Sequence, residues 1–439
     1  MKCESILSQR PIYLPHYMFF YCYNVSFYAG VYDTRKEIDK YLNEKAGISV
    51  TDDEKFWHIL VTQCQREQLE PGINMPEQSN SAIVRLANFL LKQSVKLGAS
   101  DLHIEPLAQE VRFRCRCDGL LQELPYRLPL ELAQRLSSRI KVMAGMDISV
   151  RNRPQDGSFV FSASDKKLDI RTAAMPVSGG EMLVLRLMNL QEELLSLSQL
   201  GFSPDTENKF RQLIRRPSGL IIVTGPMNSG KTTTLYAALR ELNEVERNWI
   251  TLEDPIERHI TGINQVQLNP KAGLTYASGL RAILRQDAQG ILLGEIRDEE
   301  TAMMAVRMAL TGHLLLTTLH TENATATVFR LLEMGVPPYL LAATLTGVLA
   351  QRLVRRTAVG ESGKFCGRLA IHELMVVDQS IREAILTGQS QEVLTKLACD
   401  NGMETMQTDG DNKAEAGLTT KEEVRRVLYG SLQINLMKY

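Results

Sequence analysis

The run Gly219-Leu220-Ile221-Ile222-Val223-Thr224-Gly225-Pro226-Met227-Asn228-Ser229-Gly230-Lys231-Thr232-Thr233 decides the reading of this chain. Its first half is an apolar strand, and Gly225 to Thr232 fits the pattern G-x-x-x-x-G-K-[ST]. The helical stretch Thr233-Thr234-Leu235-Tyr236-Ala237-Ala238-Leu239 follows. Glycines let the backbone curl so that successive N–H groups face one point, and the start of a helix adds its positive dipole there. A lysine in the loop reaches β- and γ-phosphates, and the hydroxyl after it ligates Mg²⁺. The expected cradle is Gly225, Pro226, Met227, Asn228, Ser229, Gly230, Lys231, Thr232 and Thr233, holding a nucleoside triphosphate with Mg²⁺ on Thr232.

Downstream, the apolar runs Ile250-Thr251-Leu252, Ile291-Leu292-Leu293 and Leu314-Leu315-Leu316 alternate with helical stretches. Strands apolar on both sides belong to a parallel sheet covered by helices, so the expectation is a doubly wound α/β domain. One strand ends in Gly294-Glu295-Ile296-Arg297-Asp298. Ligands bind at the carboxyl ends of parallel strands, so Glu295 is expected to position the attacking water and to meet Mg²⁺ through water. Asp298, Glu299 and Glu300 also suit a helix cap, a use that leaves Glu295 available. Two histidines, His313 and His320, stand at the two ends of one apolar strand.

At 439 residues, two or three domains are expected. The 44% hydrophobic and 23% charged fractions are those of a globular protein, and the net charge of −1 gives no broad nucleic-acid footprint. Seven cysteines, with no signal peptide evident, suggest reduced thiols in a cytosol. Cys115 and Cys117 share one face of an expected strand and make a poor metal clamp alone. The stretch from Pro11 to Tyr32 has no charged side chain, but its prolines and tyrosines suit aromatic strands better than a membrane span. The turn-rich Pro71 to Pro76 suggests a break. The boundaries expected are a small docking module at 1–78, an α+β domain at 79–190, a linker at 191–204 and the nucleotide domain at 205–439. The last hundred residues read as mostly helical.

Taken together and in this order, these pieces resemble the ATPases of type II secretion and type IV pilus assembly, from about Ser81 to Leu428. Ala99-Ser100-Asp101-Leu102-His103-Ile104-Glu105-Pro106 looks like that family's opening of the domain before the motor. Arg114, Arg116, Asp118 and Gly119 match its R-x-R-x-D-G strand, and Pro154-Gln155-Asp156-Gly157 its later turn. Glu253 and Asp254 are similar to its acidic box, Gly294 to Asp298 to its second nucleotide motif, and His313 to His320 to its histidine box. Gln351-Arg352-Leu353-Val354-Arg355 and Gly417-Leu418-Thr419-Thr420 complete the likeness.

The resemblance implies a RecA-like P-loop motor domain, preceded by an α+β (PAS-like) domain and a small N-terminal module. It implies a cytoplasmic homo-hexamer, peripheral on the inner membrane, where platform and docking proteins of a pilus or secretion system receive it. The implied catalytic set is Lys231, Glu295, Glu253 and His313, with Arg171 and Arg186 brought from the preceding domain as arginine fingers. The family's four-cysteine zinc module is not expected, since 356–367 holds only Cys366. Met227, Asn228, Met182 and Ala288-Gln289-Gly290 depart from the family pattern and bear on rate and subunit contacts. Alternatives are a retraction ATPase, which the roughly eighty extra N-terminal residues argue against, and a weakly hydrolysing nucleotide-binding scaffold. A DNA-pumping ring is disfavoured by the near-neutral charge.

Overall fold

The computed structural model describes residues 52–69, 81–163, 166–189, 193–358 and 364–430. The aromatic stretch from Pro11 to Tyr32 and the turn-rich run at 71–76 lie outside them. The chain divides into two compact units, with the change near Met188 and Asn189. Among the described residues no helix is long and apolar enough to cross a membrane.

In the first unit, helix α1 (Asp52–Leu69) begins with Asp52, Asp53 and Glu54, three acidic residues suited to a helix N-terminus. Its Trp57 is buried against Phe89, Phe113 and Tyr126, with ring centroids 5.9, 5.4 and 5.1 Å away. The Trp57 indole N–H donates to the Arg127 carbonyl at 2.8 Å, which satisfies the one polar atom of that buried ring. Helix α2 (Ala82–Lys96) leads into Gly98, whose φ of +64° stops it. Six strands follow: β1 (Asp101–Pro106), β2 (Glu110–Cys117), β3 (Leu120–Pro129), β4 (Gln155–Ala163), β5 (Lys166–Val177) and β6 (Gly180–Asn189). Helix α3 (Ala133–Met143) lies between β3 and β4 in sequence. The sheet order is β3-β2-β1-β6-β5-β4, and β1 runs antiparallel to both its neighbours. Leu102 and Ile104 of β1 are buried in the core; Asp101, His103 and Glu105 belong to the other face.

The second unit begins with helix α4 (Pro204–Ile214), strand β7 (Gly219–Thr224) and helix α5 (Lys231–Leu242). It continues through β8 (Trp249–Glu253), β9 (Asn264–Gln267), α6 (Tyr276–Ile283), β10 (Gly290–Leu293), α7 (Glu299–Leu310) and β11 (Leu314–Leu319). Helices α8 (Ala324–Glu333) and α9 (Pro338–Thr344) then lead to the hairpin β12 (Leu345–Thr357) and β13 (Phe365–Val376). Four helices end the described chain: α10 (Gln379–Leu386), α11 (Gln391–Asp400), α12 (Met406–Glu415) and α13 (Lys421–Tyr429).

The seven strands lie in the order β13-β12-β7-β11-β10-β8-β9, parallel except for the antiparallel β12–β13 pair. The double-sided apolar runs have a direct cause. Leu220 and Ile222 of β7 enter one core with Ile291 and Leu293, whereas Ile221 and Val223 enter the other with Leu292, Leu314 and Leu316. Each fully buried side chain of this kind contributes about 1.5–3 kcal/mol. The last hundred residues are less helical than their pattern suggests, because β12 and β13 fall at 345–376. The first seven residues of β12 are buried on both faces, and such an apolar run has no period that tells strand from helix.

Candidate functional site

At the carboxyl end of β7 the chain turns at Gly225, whose φ is +148°. A Cβ there would lie 2.4 Å from the Gln351 carbonyl oxygen and 2.7 Å from Ser229 Oγ, so the tight turn admits only glycine. Asn228 adopts φ +62°, the left-handed region that asparagine tolerates better than most residues. Met227 beside it is 83% exposed. Gly230 starts α5 with φ +88° and no side-chain cap, which leaves the first amides and the helix dipole for an anion. Gln351 braces the turn: its Nε2 donates to the Ser229 carbonyl at 2.7 Å, and its Oε1 accepts from Thr234 Oγ1 at 2.9 Å.

The Lys231 ammonium is buried within this turn, donating to the carbonyls of Gly225 and Pro226 at 2.8 Å each. Burial pushes its pKa down to about 8, Glu295 opposes that, and Arg352 adds to it. Thr232 is half-buried and Thr233 exposed, both in the first turn of α5.

Two strands away, Gly294 and Glu295 leave the carboxyl end of β10. Their loop is fixed by Gly294 N–H to the Leu252 carbonyl at 2.8 Å, Thr318 Oγ1 to the Gly294 carbonyl at 2.8 Å, and Ile296 N–H to the Thr318 carbonyl at 3.1 Å. Glu295 Oε1 accepts from Arg297 Nε at 2.8 Å, and Oε2 lies 3.3 Å from His320 Nε2. Burial pushes the carboxyl upward, but Arg297 and His320 together hold it below the ordinary glutamate value, so it is ionised at neutral pH. Asp298 caps α7, accepting from Thr301 N–H at 2.8 Å, and leaves Glu295 free of that duty.

The structure separates the two histidines. In the register of β11 on β7, Leu314 faces Gly219 and Leu319 faces Thr224, so His320 stands at the phosphate-loop end and His313 at the other. His320 Nδ1 is 3.4 Å from Lys231 Nζ, and its Nε2 meets Glu295. His313 instead donates from Nδ1 to the Met308 carbonyl at 3.1 Å, and its own carbonyl accepts from Gly219 N–H at 3.1 Å. Within this unit His320, not His313, is the histidine that stands beside the phosphate loop. The reason is strand direction: six intervening residues at about 3.3 Å each put roughly 20 Å between them.

Glu253 ends β8 almost fully buried, accepting from Thr251 Oγ1 at 2.5 Å, from Gln265 Nε2 at 3.1 Å and from the Tyr236 hydroxyl. The carboxylate ties α5 to β8 and β9. Ala288-Gln289-Gly290 lies at the amino end of β10, where Gln289 Oε1 accepts from Asn248 N–H at 2.7 Å. A Cβ on Gly290 would meet the Trp249 ring at 2.5 Å, so glycine is needed there for packing.

Arg171 and Arg186 belong to the first unit. Arg171 Nε lies 3.7 Å from Asp169 Oδ2, and Arg186 Nε lies 3.3 Å from Asp101 Oδ1. Of the expected residues, the second unit links Lys231 of the loop to Glu295 through His320, keeps Thr232 beside Lys231 in the first turn of α5, and ties Glu253 to α5 through Tyr236. His320 and Gln351 stand in motifs quoted above for which the sequence supplies no role of their own; strand direction places the first at the loop, and the folded register places the second.

The site suits a magnesium nucleotide. The turn is closed to a Cβ at Gly225, Ser229 Oγ is buried with no partner among the described residues, and the nearby donors are hydroxyl and carboxylate oxygens. Mg²⁺ takes such hard oxygen ligands and keeps several waters.

A family model described as "Type II/IV secretion system protein" matches residues 76–426. Among curated relatives, type II secretion system protein E of Dickeya dadantii is 43% identical over 382 residues, covering 80% of this chain and 76% of that protein. Type II secretion system protein HxcR of Pseudomonas aeruginosa is 44% identical, covering 80% and 78%. Type II secretion system ATPase E of Vibrio cholerae is 40% identical, covering 86% and 80%. Among solved structures, the pilus retraction motor PilT with bound ADP superposes with a TM-score of 0.55 at 28% identity, covering 76% of this chain and 94% of that one. The Legionella pneumophila ATPase DotB, at 24% identity and a TM-score of 0.63, shares the fold and covers 80% and 96%.

Proposed function

The chain belongs to the type II/IV secretion system protein family and is a secretion ATPase, and on that premise we propose a mechanism and a setting for it. ATP is held by the loop amides of 225–233 and by Lys231. The carrying observation is that Lys231, His320 and Glu295 form one chain of contacts, 3.4 and 3.3 Å long, at the carboxyl ends of three parallel strands. Glu295, kept ionised by Arg297, orients the attacking water. Mg²⁺, when bound, would be held by the Thr232 hydroxyl and, through water, by Glu295, and it supplies charge neutralisation at the β- and γ-phosphates. His320 joins the lysine that reads the phosphates to the carboxylate that orients the water. Glu253 is a positioning residue that keeps α5 in place. Arg171 and Arg186 neutralise charge that develops on the phosphates, an effect of about 10³–10⁵ in rate for such fingers.

The protein works as a homo-hexamer on the cytoplasmic face of the inner membrane, with its N-terminal module docked on a platform protein. Relatives named for type II secretion, at 40–44% identity, support export over pilus retraction. ATP turnover by wild type and Glu295→Gln tests the reading. A fall of at least about 10²-fold in the variant, with ATP still bound, is expected. Equal, near-zero rates from both proteins in properly formed hexamers would leave the scaffold reading instead.

A further inference from the structure

Strand β12 lies beside β7 with Ala350 opposite Thr224, so its next two residues, Gln351 and Arg352, stand level with the start of the phosphate loop. A strand sends neighbouring side chains to opposite faces, and Leu349 and Ala350 accordingly enter different cores. Gln351 takes the face toward α5, where it is buried between Ser229 and Thr234. Its amide is fixed in one sense, because turning it over would set its oxygen against the Ser229 carbonyl. That grip bears on the phosphates. A trans peptide points its C=O and the following N–H in opposite directions, so by holding the Ser229 carbonyl Gln351 turns the Gly230 N–H away from β12. The Gly230 N–H is one of the loop amides assigned to ATP.

Arg352 takes the opposite face. Its Nη2 donates to the carbonyl of Glu322, two residues after His320, at 3.1 Å. Between them, Thr321 is tied to β7: its N–H donates to Thr224 Oγ1 at 2.9 Å, and the two hydroxyls are 2.7 Å apart. The segment that carries His320 is thus held at two successive residues. Packing does not account for the arginine. Its Nη1 is buried with no partner among the described residues, and burial lowers the pKa of the guanidinium against the opposing pull of Glu322 and Glu373. Ala350 and Val354, on either side of it along the same face, are apolar and carry no such cost. We infer that these neighbours are positioning residues with separate duties: Gln351 sets the phosphate loop for nucleotide binding, and Arg352 sets His320 for the chemical step. The inference rests on the reading that the loop holds ATP and that His320 joins Lys231 to Glu295.

The test is ADP binding and steady-state ATP turnover by the full chain, for wild type, Gln351→Met, Arg352→Met, His320→Ala and the double variant of the last two. Oligomeric state and thermal midpoint are measured beside them. Methionine fills most of the space of either side chain and removes its polar contacts. Gln351→Met is expected to raise Kd for ADP and KM for ATP by about tenfold, the effect of one lost hydrogen bond, with kcat within about threefold. Arg352→Met is expected to do the reverse, lowering kcat by about tenfold with Kd for ADP within about twofold. The double variant should turn over no more slowly than His320→Ala, since a positioned residue and its positioner act as one unit. Loss of thermal stability alone in both methionine variants overturns the inference, as does the same parallel loss of affinity and kcat in both. Normal kcat in Arg352→Met beside a damaged His320→Ala overturns it and leaves the role of His320 standing. Additive losses in the double variant overturn it too. Normal kcat in His320→Ala, or no ADP binding by wild type, overturns the underlying reading and the inference together. Should a methionine variant fail to fold, Gln351→Glu, which removes the donor to Ser229, or Arg352→Gln, which is too short to reach Glu322, carries the test, and unchanged Kd in the first or kcat in the second overturns the inference.

Discussion

At the carboxyl end of β11, His320 stands between Lys231 and Glu295; at the amino end of the same strand, His313 is engaged with the Met308 carbonyl. The same contrast holds along β10, whose carboxyl end leads into Glu295 and whose amino end begins with Gly290, pressed against Trp249. At the carboxyl end, Lys231, His320 and Glu295, from the segments that follow three strands, meet one another. At the amino end, polar atoms are used on neighbouring backbone and glycine makes room for a ring. Residue type is thus a poor guide to role in this sheet, and the end of the strand is a good one.

Four measurements can break or sharpen that contrast. Lys231→Ala should have the largest effect, lowering ATP turnover by about 10²–10³-fold, as loss of one preorganised charge donor does elsewhere. His320→Ala should lower kcat by about tenfold to 10²-fold while leaving ADP affinity close to wild type, which a binding assay beside the kinetics would separate. Gly290→Ala at the opposite end should act on stability, by about 1–3 kcal/mol from overpacking against Trp249. Calorimetry should show the lower melting point while the folded enzyme keeps its turnover. His313→Gln should do least: loss of one hydrogen bond, about 0.5–1.5 kcal/mol, and kcat within about twofold of wild type.

The second unit was legible where function is local in sequence. The loop from Gly225 to Thr232 names its own chemistry, and the apolar runs announced a sheet covered on both sides, as the split of Leu220 and Ile221 into different cores bears out. Asn228 at φ +62° illustrates a departure from the family pattern that the backbone accommodates. Contacts set by tertiary register were not legible. Gln351 reaches Ser229 across 122 positions, and Glu373 accepts at 2.9 Å from Ala324 N–H and at 3.3 Å from Met406 N–H, so it caps the starts of both α8 and α12. The β12–β13 hairpin has no clear signal in the sequence, because the continuous apolar run that opens β12 carries no period. His320 was recoverable in principle, since parallel strands put their ligands at one end, but residue identity alone gave both histidines equal weight.

The most direct test of the central claim is the ratio of kcat between His313→Ala and His320→Ala, measured side by side in preparations of equal stability and equal oligomeric state. The account predicts that His313→Ala turns over at least about ten times faster than His320→Ala. A ratio near one, or one that favours His320→Ala, would contradict the assignment of the chemistry to the carboxyl end of the sheet.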